Sequence, residues 1–237
     1  MSNSGLLGGL NTRPALPPLS QTDGALLAST PSGSGTAWAE SVSQFIHVSG
    51  NWYTTPIGRP VGTIQGNNDR LFFVPLVMSR TCEIDQIAVV LTTVGTAGGG
   101  GPNLRLGLYT SNTAGKPDRL IVDAGEMDVT ATTGVRAITI NATMRAHTVY
   151  WAAMIHQLQG TKPTLKSWDN TSGDHDSAGL TLGIVNSSNI GVPRYDQTGW
   201  YVASWTYGPL PYIAPTSVDK SYGTTPYGMP VVGVRVP

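Results

Sequence analysis

Cysteine is almost missing from this chain, with Cys82 the only one in 237 residues. A single thiol closes no internal disulfide and assembles no zinc cluster, so a disulfide-stapled secreted module is excluded. Charge is scarce too. Asp, Glu, Lys and Arg make up 12% of the sequence, about half the usual share. The 14 basic residues balance the 14 acidic ones and are scattered singly from Arg13 to Arg235. A nucleic-acid binder normally carries a basic excess or stripe, so no nucleic-acid partner is expected. No apolar run approaches the roughly 18 residues that span a bilayer, which argues against membrane insertion. Met1 to Asn11 lacks the basic start and apolar stretch of a signal peptide, so the expectation is a product made in the cytoplasm. A convincing helical stripe is absent as well, since apolar residues nowhere recur at helical spacing over about ten positions.

What is plentiful is glycine, with 29 residues, and proline, with 17. They crowd the first 37 residues, where Gly5, Gly8, Gly9, Pro14, Pro17, Pro18, Gly24, Pro31, Gly33 and Gly35 leave no helical or strand period. Leu6, Leu7, Leu10, Leu16, Leu19, Leu26 and Leu27 are interspersed. Disordered tails are poor in such residues. The expectation for residues 1–37 is an extended, irregular anchoring arm whose leucines pack on another subunit. Residues 38–237 form the second domain, long enough to bury a sizeable core without staples.

In that second domain the pattern changes to strands and turns. Val42–Val48, Arg70–Met78 (interrupted by Pro75), Ile84–Val94, Met127–Thr132, Val135–Ile140, Val149–Ile155, Leu180–Val185, Trp200–Trp205 and Val231–Val236 read as strands. Leu104, Leu106 and Leu108 alternate with Arg105, Gly107 and Tyr109, a period of two. Asn112–Pro117 reads as a turn, and a further turn is expected near Asp123-Ala124-Gly125. Strands at this spacing predict an all-β fold, an antiparallel β-sandwich or jelly-roll-like arrangement. Leu104, Leu106 and Leu108 are expected to pack against Val149, Trp151 and Ala153, which makes Trp151 a core residue.

Candidate chemistry is thin. Asp169, Asp174, His175 and Asp176 match no EF-hand spacing and read as a polar loop. No two of His47, His147, His156 and His175 lie at a ligand spacing. There is no Gly-x-Ser-x-Gly elbow, and nothing pairs the only glutamates, Glu40, Glu83 and Glu126, with an aspartate. Gly98–Gly101 is followed by Pro102 and a strand, not by the Lys-Ser/Thr and helix of a phosphate loop. No catalytic residue, metal or cofactor is expected. The aromatic-rich segment is more suggestive. Trp168, Tyr195, Trp200, Tyr201, Trp205, Tyr207 and Tyr212, with Tyr222 and Tyr227 beyond them, lie among Gly199, Gly208, Pro209, Pro211 and Pro215. Amphipathic rings on loops suit sugar stacking and protein contacts alike. They read as ligand- or receptor-binding candidates, or alternatively as core and subunit-interface residues.

One stretch carries a family resemblance. Leu104-Arg105-Leu106-Gly107-Leu108-Tyr109-Thr110, the turn Asn112-Thr113-Ala114-Gly115-Lys116-Pro117, Val122-Asp123-Ala124-Gly125 and Val149-Tyr150-Trp151-Ala152-Ala153 together resemble β-sandwich modules of bacteriophage virion proteins. These are the modules of tail fibres, minor tail proteins and head-decoration proteins. The match is local, covering residues 104–154. It implies a non-enzymatic structural protein of the virion, foremost a tail fibre or tail-tip component. Such a protein would dock on other virion proteins by its arm, self-associate as a homotrimer and present the sandwich to a host-surface glycan. The same resemblance leaves open a capsid decoration or head-fibre protein, and a particle-associated polysaccharide-degrading enzyme.

Overall fold

The computed structural model describes residues 25–29, 36–40, 47–54, 62–65, 70–96, 103–157, 161–167, 199–217, 219–220 and 229–237. The chain divides into two compact units, Met1–Val42 and Ser43–Pro237. In the first, β1 (Ala25–Ser29) pairs antiparallel with β2 (Thr36–Glu40), from Ala25↔Glu40 to Ser29↔Thr36. No strand was expected before Trp38. The breakers explain the difference by their position. Pro31, Gly33 and Gly35 fall in sequence between the two strands and not within either. The remaining leader leucines, Leu6, Leu7, Leu10, Leu16 and Leu19, lie outside the described residues.

The second unit is all β, with no helix among the described residues. Its strands are β3 (Trp52–Thr54), β4 (Gly62–Gln65), β5 (Leu71–Val77), β6 (Cys82–Thr93), β7 (Asn103–Ser111), β8 (Pro117–Asp128), β9 (Gly134–Met144), β10 (Val149–His156), β11 (Thr164–Ser167), β12 (Trp200–Val202), β13 (Asp219–Lys220) and β14 (Val232–Arg235). They form two antiparallel sheets. One runs β13-β12-β5-β10-β7-β8. The other is built on β6, which pairs with β9 along one edge. Its opposite edge takes β14 at Gln86–Val89 and β11 at Leu91 and Thr93, and β3 and β4 lie beyond these two. Pro75 sits inside β5 without breaking the sheet, because β12 pairs only with Leu71–Phe73 and stops short of it. Of the other expected strands, Leu180–Val185 lies outside the described residues, as does Val42–Val48 up to residue 46.

The main core fills the space between the sheets. Leu104, Leu106, Leu108, Tyr150, Ala152 and Met154 supply one side, and Ile84, Ile87, Val89, Leu91, Val232 and Val234 the other. Each fully buried leucine here contributes about 1.5–3 kcal/mol.

Two expectations about this region need correction. Trp151 and Ala153 do not pack with the three leucines. In the β7–β10 ladder Trp151 is opposite Tyr109 and Ala153 opposite Gly107, whereas Ala152 and Met154 face Leu108 and Leu106. Opposed residues share a face, so Trp151 lies on the outer side of the sheet. It is buried all the same, because a second core with Leu71, Phe73, Tyr109 and Ile155 covers that side. The turn expected at Asp123-Ala124-Gly125 is a β-bulge inside the single long strand β8. Ala124 is left over between Asp123↔Gly107 and Gly125↔Leu106. Asp123 Oδ1 accepts from Gly125 N at 2.9 Å, and Gly125 has φ +87°. Turn chemistry is present, and the flanking β7 ladder holds it in the sheet.

Candidate functional site

Residues 199–217 form a strap over the outer face of the β5-β10-β7-β8 sheet. The strap starts as β12, where Trp200 pairs with Phe73. Gly199 permits this approach, since a Cβ there would lie 2.5 Å from Phe73 O and 2.6 Å from Met229 Cε. Beyond β12, half-buried Trp205 and Tyr207 pack on the outer core, and Leu210 is buried in it. Leu210 settles over Gly107, where a Cβ would collide with its Cδ1 and come within 2.8 Å of Val122 O. That is why a strand otherwise rich in leucine carries glycine at this position.

Polar groups pin the strap. Tyr109 donates its hydroxyl to Pro211 O at 2.7 Å. Asp123 Oδ2 accepts both from Leu210 N, at 3.0 Å, and from Arg105 Nη1, at 2.7 Å. Arg105 Nη2 completes the fork on Glu126 Oε1 at 2.9 Å. Both carboxylates are therefore tied to one guanidinium, which clamps them together. Burial, and after it the neighbouring Glu126 charge, pushes the Tyr207 hydroxyl pKa well above its ordinary value. The Tyr109 hydroxyl is raised by burial and by Asp123.

The strap ends as an added rung on the outer edge of β8. Leu120 N donates to Tyr212 O at 2.9 Å, Ala214 N donates to Asp118 O at 2.7 Å, and Arg119 bridges Ile213. Backbone bonds thus hold Tyr212 in place while its side chain is 64% exposed. Ile213, 50% exposed, and Ile121 are also open to solvent.

The expected binding residues separate accordingly. Trp200 is buried, with Lys116 Nζ 5.0 Å from its ring centroid. Tyr201 turns to the opposite, inner face, with the Arg70 guanidinium 4.7 Å from its ring. Trp205 and Tyr207 are half-buried in the strap, and Tyr212 is the exposed one. Trp168 and Tyr195 lie outside the described residues, as does the Asp169–Asp176 loop. Sequence reasoning passed over Ile213, Leu210 and the Arg105–Asp123–Glu126 clamp. Gly107 inside the Leu-rich run was the available signal that a segment crosses there.

Cys82 is buried. Burial raises its thiol pKa against the opposing pull of Arg80, the reverse of what a reactive thiolate needs. His156 is buried with neither ring nitrogen hydrogen-bonded. His147 is exposed and has φ +54°. No group of three or more metal-ligating side chains is assembled among the described residues.

No protein-family model matches the chain, and no curated protein matches it. Solved structures similar to it include the cysteine protease and lectin-like domains of Cwp84, a surface-layer-associated protein of Clostridium difficile. There the TM-score is 0.43 and the identity 9%, covering 86% of this chain and 38% of that one. A clostridial Cwp84 cysteine protease after propeptide cleavage is similar with TM-score 0.42 and 9% identity, covering 86% of this chain and 43% of that one. The chain spans less than half the length of either, and a likeness of this size assigns neither activity nor ligand.

Proposed function

We propose that the chain is a non-enzymatic structural protein of a bacteriophage particle, a tail fibre or tail-tip component that contacts a host-surface glycan. The leader docks on other virion proteins, and the sandwich presents the Tyr212 end of the strap. The observation that carries the attachment role is the held, exposed ring of Tyr212 beside Ile213. An aromatic whose backbone is already fixed loses little entropy on stacking against a sugar. The virion setting rests on the resemblance over residues 104–154. Those residues build β7 to β10, of which β7, β8 and β10 lie in the sheet that the strap crosses.

The test uses purified full-length chain and host cells. Wild type binds, and Tyr212→Ala loses at least about tenfold in affinity, as an aromatic contact residue does, with its melting temperature unchanged. Equal binding by Tyr212→Ala, or cleavage of host polysaccharide by the pure protein, overturns the attachment reading. Antibody labelling of particles tests the location. Label at the tail tip supports the assignment, label spread over the capsid replaces it with the decoration role, and absence of the chain from particles overturns both.

A further inference from the structure

The strands β8 and β9 are consecutive in the chain and stand at the edges of opposite sheets. The β8 edge is covered by Tyr212–Ala214 of the same chain. Among the described residues the β9 edge is open. β9 pairs with β6 on one side, and among the described residues no backbone group bonds its other side. Exposed edges of this kind template pairing with another strand, and proteins usually blunt them with charge, proline or a bulge. β9 has a single charged residue and no proline. Its bulge, at Ile140–Asn141, leaves Gly134–Thr139 in regular register with Leu91–Gln86. The one charge does not guard the edge either. Arg136 turns back into its own chain, donating from Nη1 to Thr132 Oγ1 at 2.8 Å and from Nη2 to Asp128 O at 3.1 Å. Val135 meanwhile stands 61% exposed.

We infer that the open β9 edge pairs antiparallel with β9 of a second copy of this chain, about a two-fold axis at Ala137. The sequence Val135-Arg136-Ala137-Ile138-Thr139 is self-complementary in that register. The smallest side chain lies at the axis, opposite its own mate. The β-branched Val135 lies opposite Thr139 of the second copy on the outer face. Arg136 lies opposite Ile138 on the inner face, so no two like charges meet. The single charge of this strand is already bonded within its own chain, so nothing at the edge selects a charged peptide, whereas a second β9 places no like charges and no bulky pair at the axis. The contact is isologous and closes at two copies. It joins the two β6 sheets into one continuous sheet, and by itself it supplies a dimer and not the homotrimer that the resemblance implies.

The test is sedimentation of the full-length chain over a concentration series. Wild type sediments as a dimer, and a monomer at every concentration overturns the inference. The Ala137 side chain is exposed in the single copy. Ala137→Lys therefore leaves the fold of the single copy unchanged, read from its circular dichroism spectrum, and weakens the dimer by about tenfold or more, because two lysines then face each other. Mixing Ala137→Lys with Ala137→Glu restores a dimer containing one chain of each. Undiminished dimerisation of Ala137→Lys alone overturns the inference. A second variant does not depend on stability. Facing Cα atoms of an antiparallel pair are about 4.5–5.5 Å apart, within disulfide reach, so oxidised Ala137→Cys becomes a covalent dimer. Failure of that variant to cross-link also overturns the inference.

Discussion

The two sheets bury themselves differently. In β10, at the centre of one sheet, every residue from Tyr150 to His156 is buried. In β9, at the edge of the other, exposed and covered residues alternate, with Val135, Ala137, Thr139, Asn141 and Thr143 open to solvent. Antiparallel sheets commonly leave one face in water, as the β9 side does. The β10 sheet departs from this because the chain returns at 199–217 and lays a strap across its outer face. An alternating strand thus marks a face that the fold leaves free. A continuously apolar one marks a face that some other segment has come to cover.

Substitutions on the two strands sharpen this contrast. The largest effect belongs to Trp151→Ala. The ring is fully buried in the outer core, and its Nε1 donates to Ser111 Oγ at 2.7 Å. The expected loss is about 3–5 kcal/mol, read from the denaturant midpoint. Val135→Ala on the exposed face of β9 should stay within about 0.5 kcal/mol in the monomer. Comparable losses at both positions would remove the distinction between the faces.

Acid reaches the doubly buried sheet through His156. Burial holds its pKa at about 4 in the folded protein, against an ordinary 6.5. As pH falls, the unfolded chain takes up the proton first. The contribution of neutral His156 is therefore complete above pH 6.5 and is lost progressively down to about pH 4. The expected total is about 3 kcal/mol. Unfolding free energy measured against pH should show this slope in wild type and lose it in His156→Leu. An unchanged slope in the variant would place the titration elsewhere.

Gly107→Ala addresses the strap itself. The new methyl meets Leu210 and the Val122 carbonyl, so a loss of about 1–3 kcal/mol is expected, the usual range for overpacking. If the strap yields, protease should cut within 199–217 in the variant sooner than in wild type. A variant as stable and as resistant as wild type would mean that Leu210 does not press on the sheet.

Much of the fold could be read from local pattern. β6 and β7 lie close to where β-branched density and the Leu104-Leu106-Leu108 alternation put them. The turn between β7 and β8 lies where Asn112, Gly115 and Pro117 indicated it. Asn112 Oδ1 accepts there from Ala114 N and Lys116 N at 2.9 and 3.0 Å. Reading failed where two signals competed. Asp123 and Gly125 are turn residues, yet the ladder from β7 absorbs them as a bulge. Alternation has no phase when both faces of a strand are apolar, so the pattern of β10 does not fix the face on which Trp151 lies. Of the candidate site, the aromatic segment was visible and its sorting was not. Nothing local separates Trp200, buried beside Phe73, from Tyr212, exposed at the β8 edge.

Residue order alone determined that this chain makes strands, where most of them turn, and that its first forty residues follow a different composition. Those properties depend on backbone sterics and on side chains within a few positions of one another. Tertiary structure decided which faces are dry, which edge is capped and which ring meets solvent. Each of these is set by groups far apart in the sequence: Leu210 over Gly107, Pro211 O on the Tyr109 hydroxyl, and Tyr212 O on Leu120 N. Burial is a relation between distant segments, so the outer core exists only once the strap has crossed the sheet.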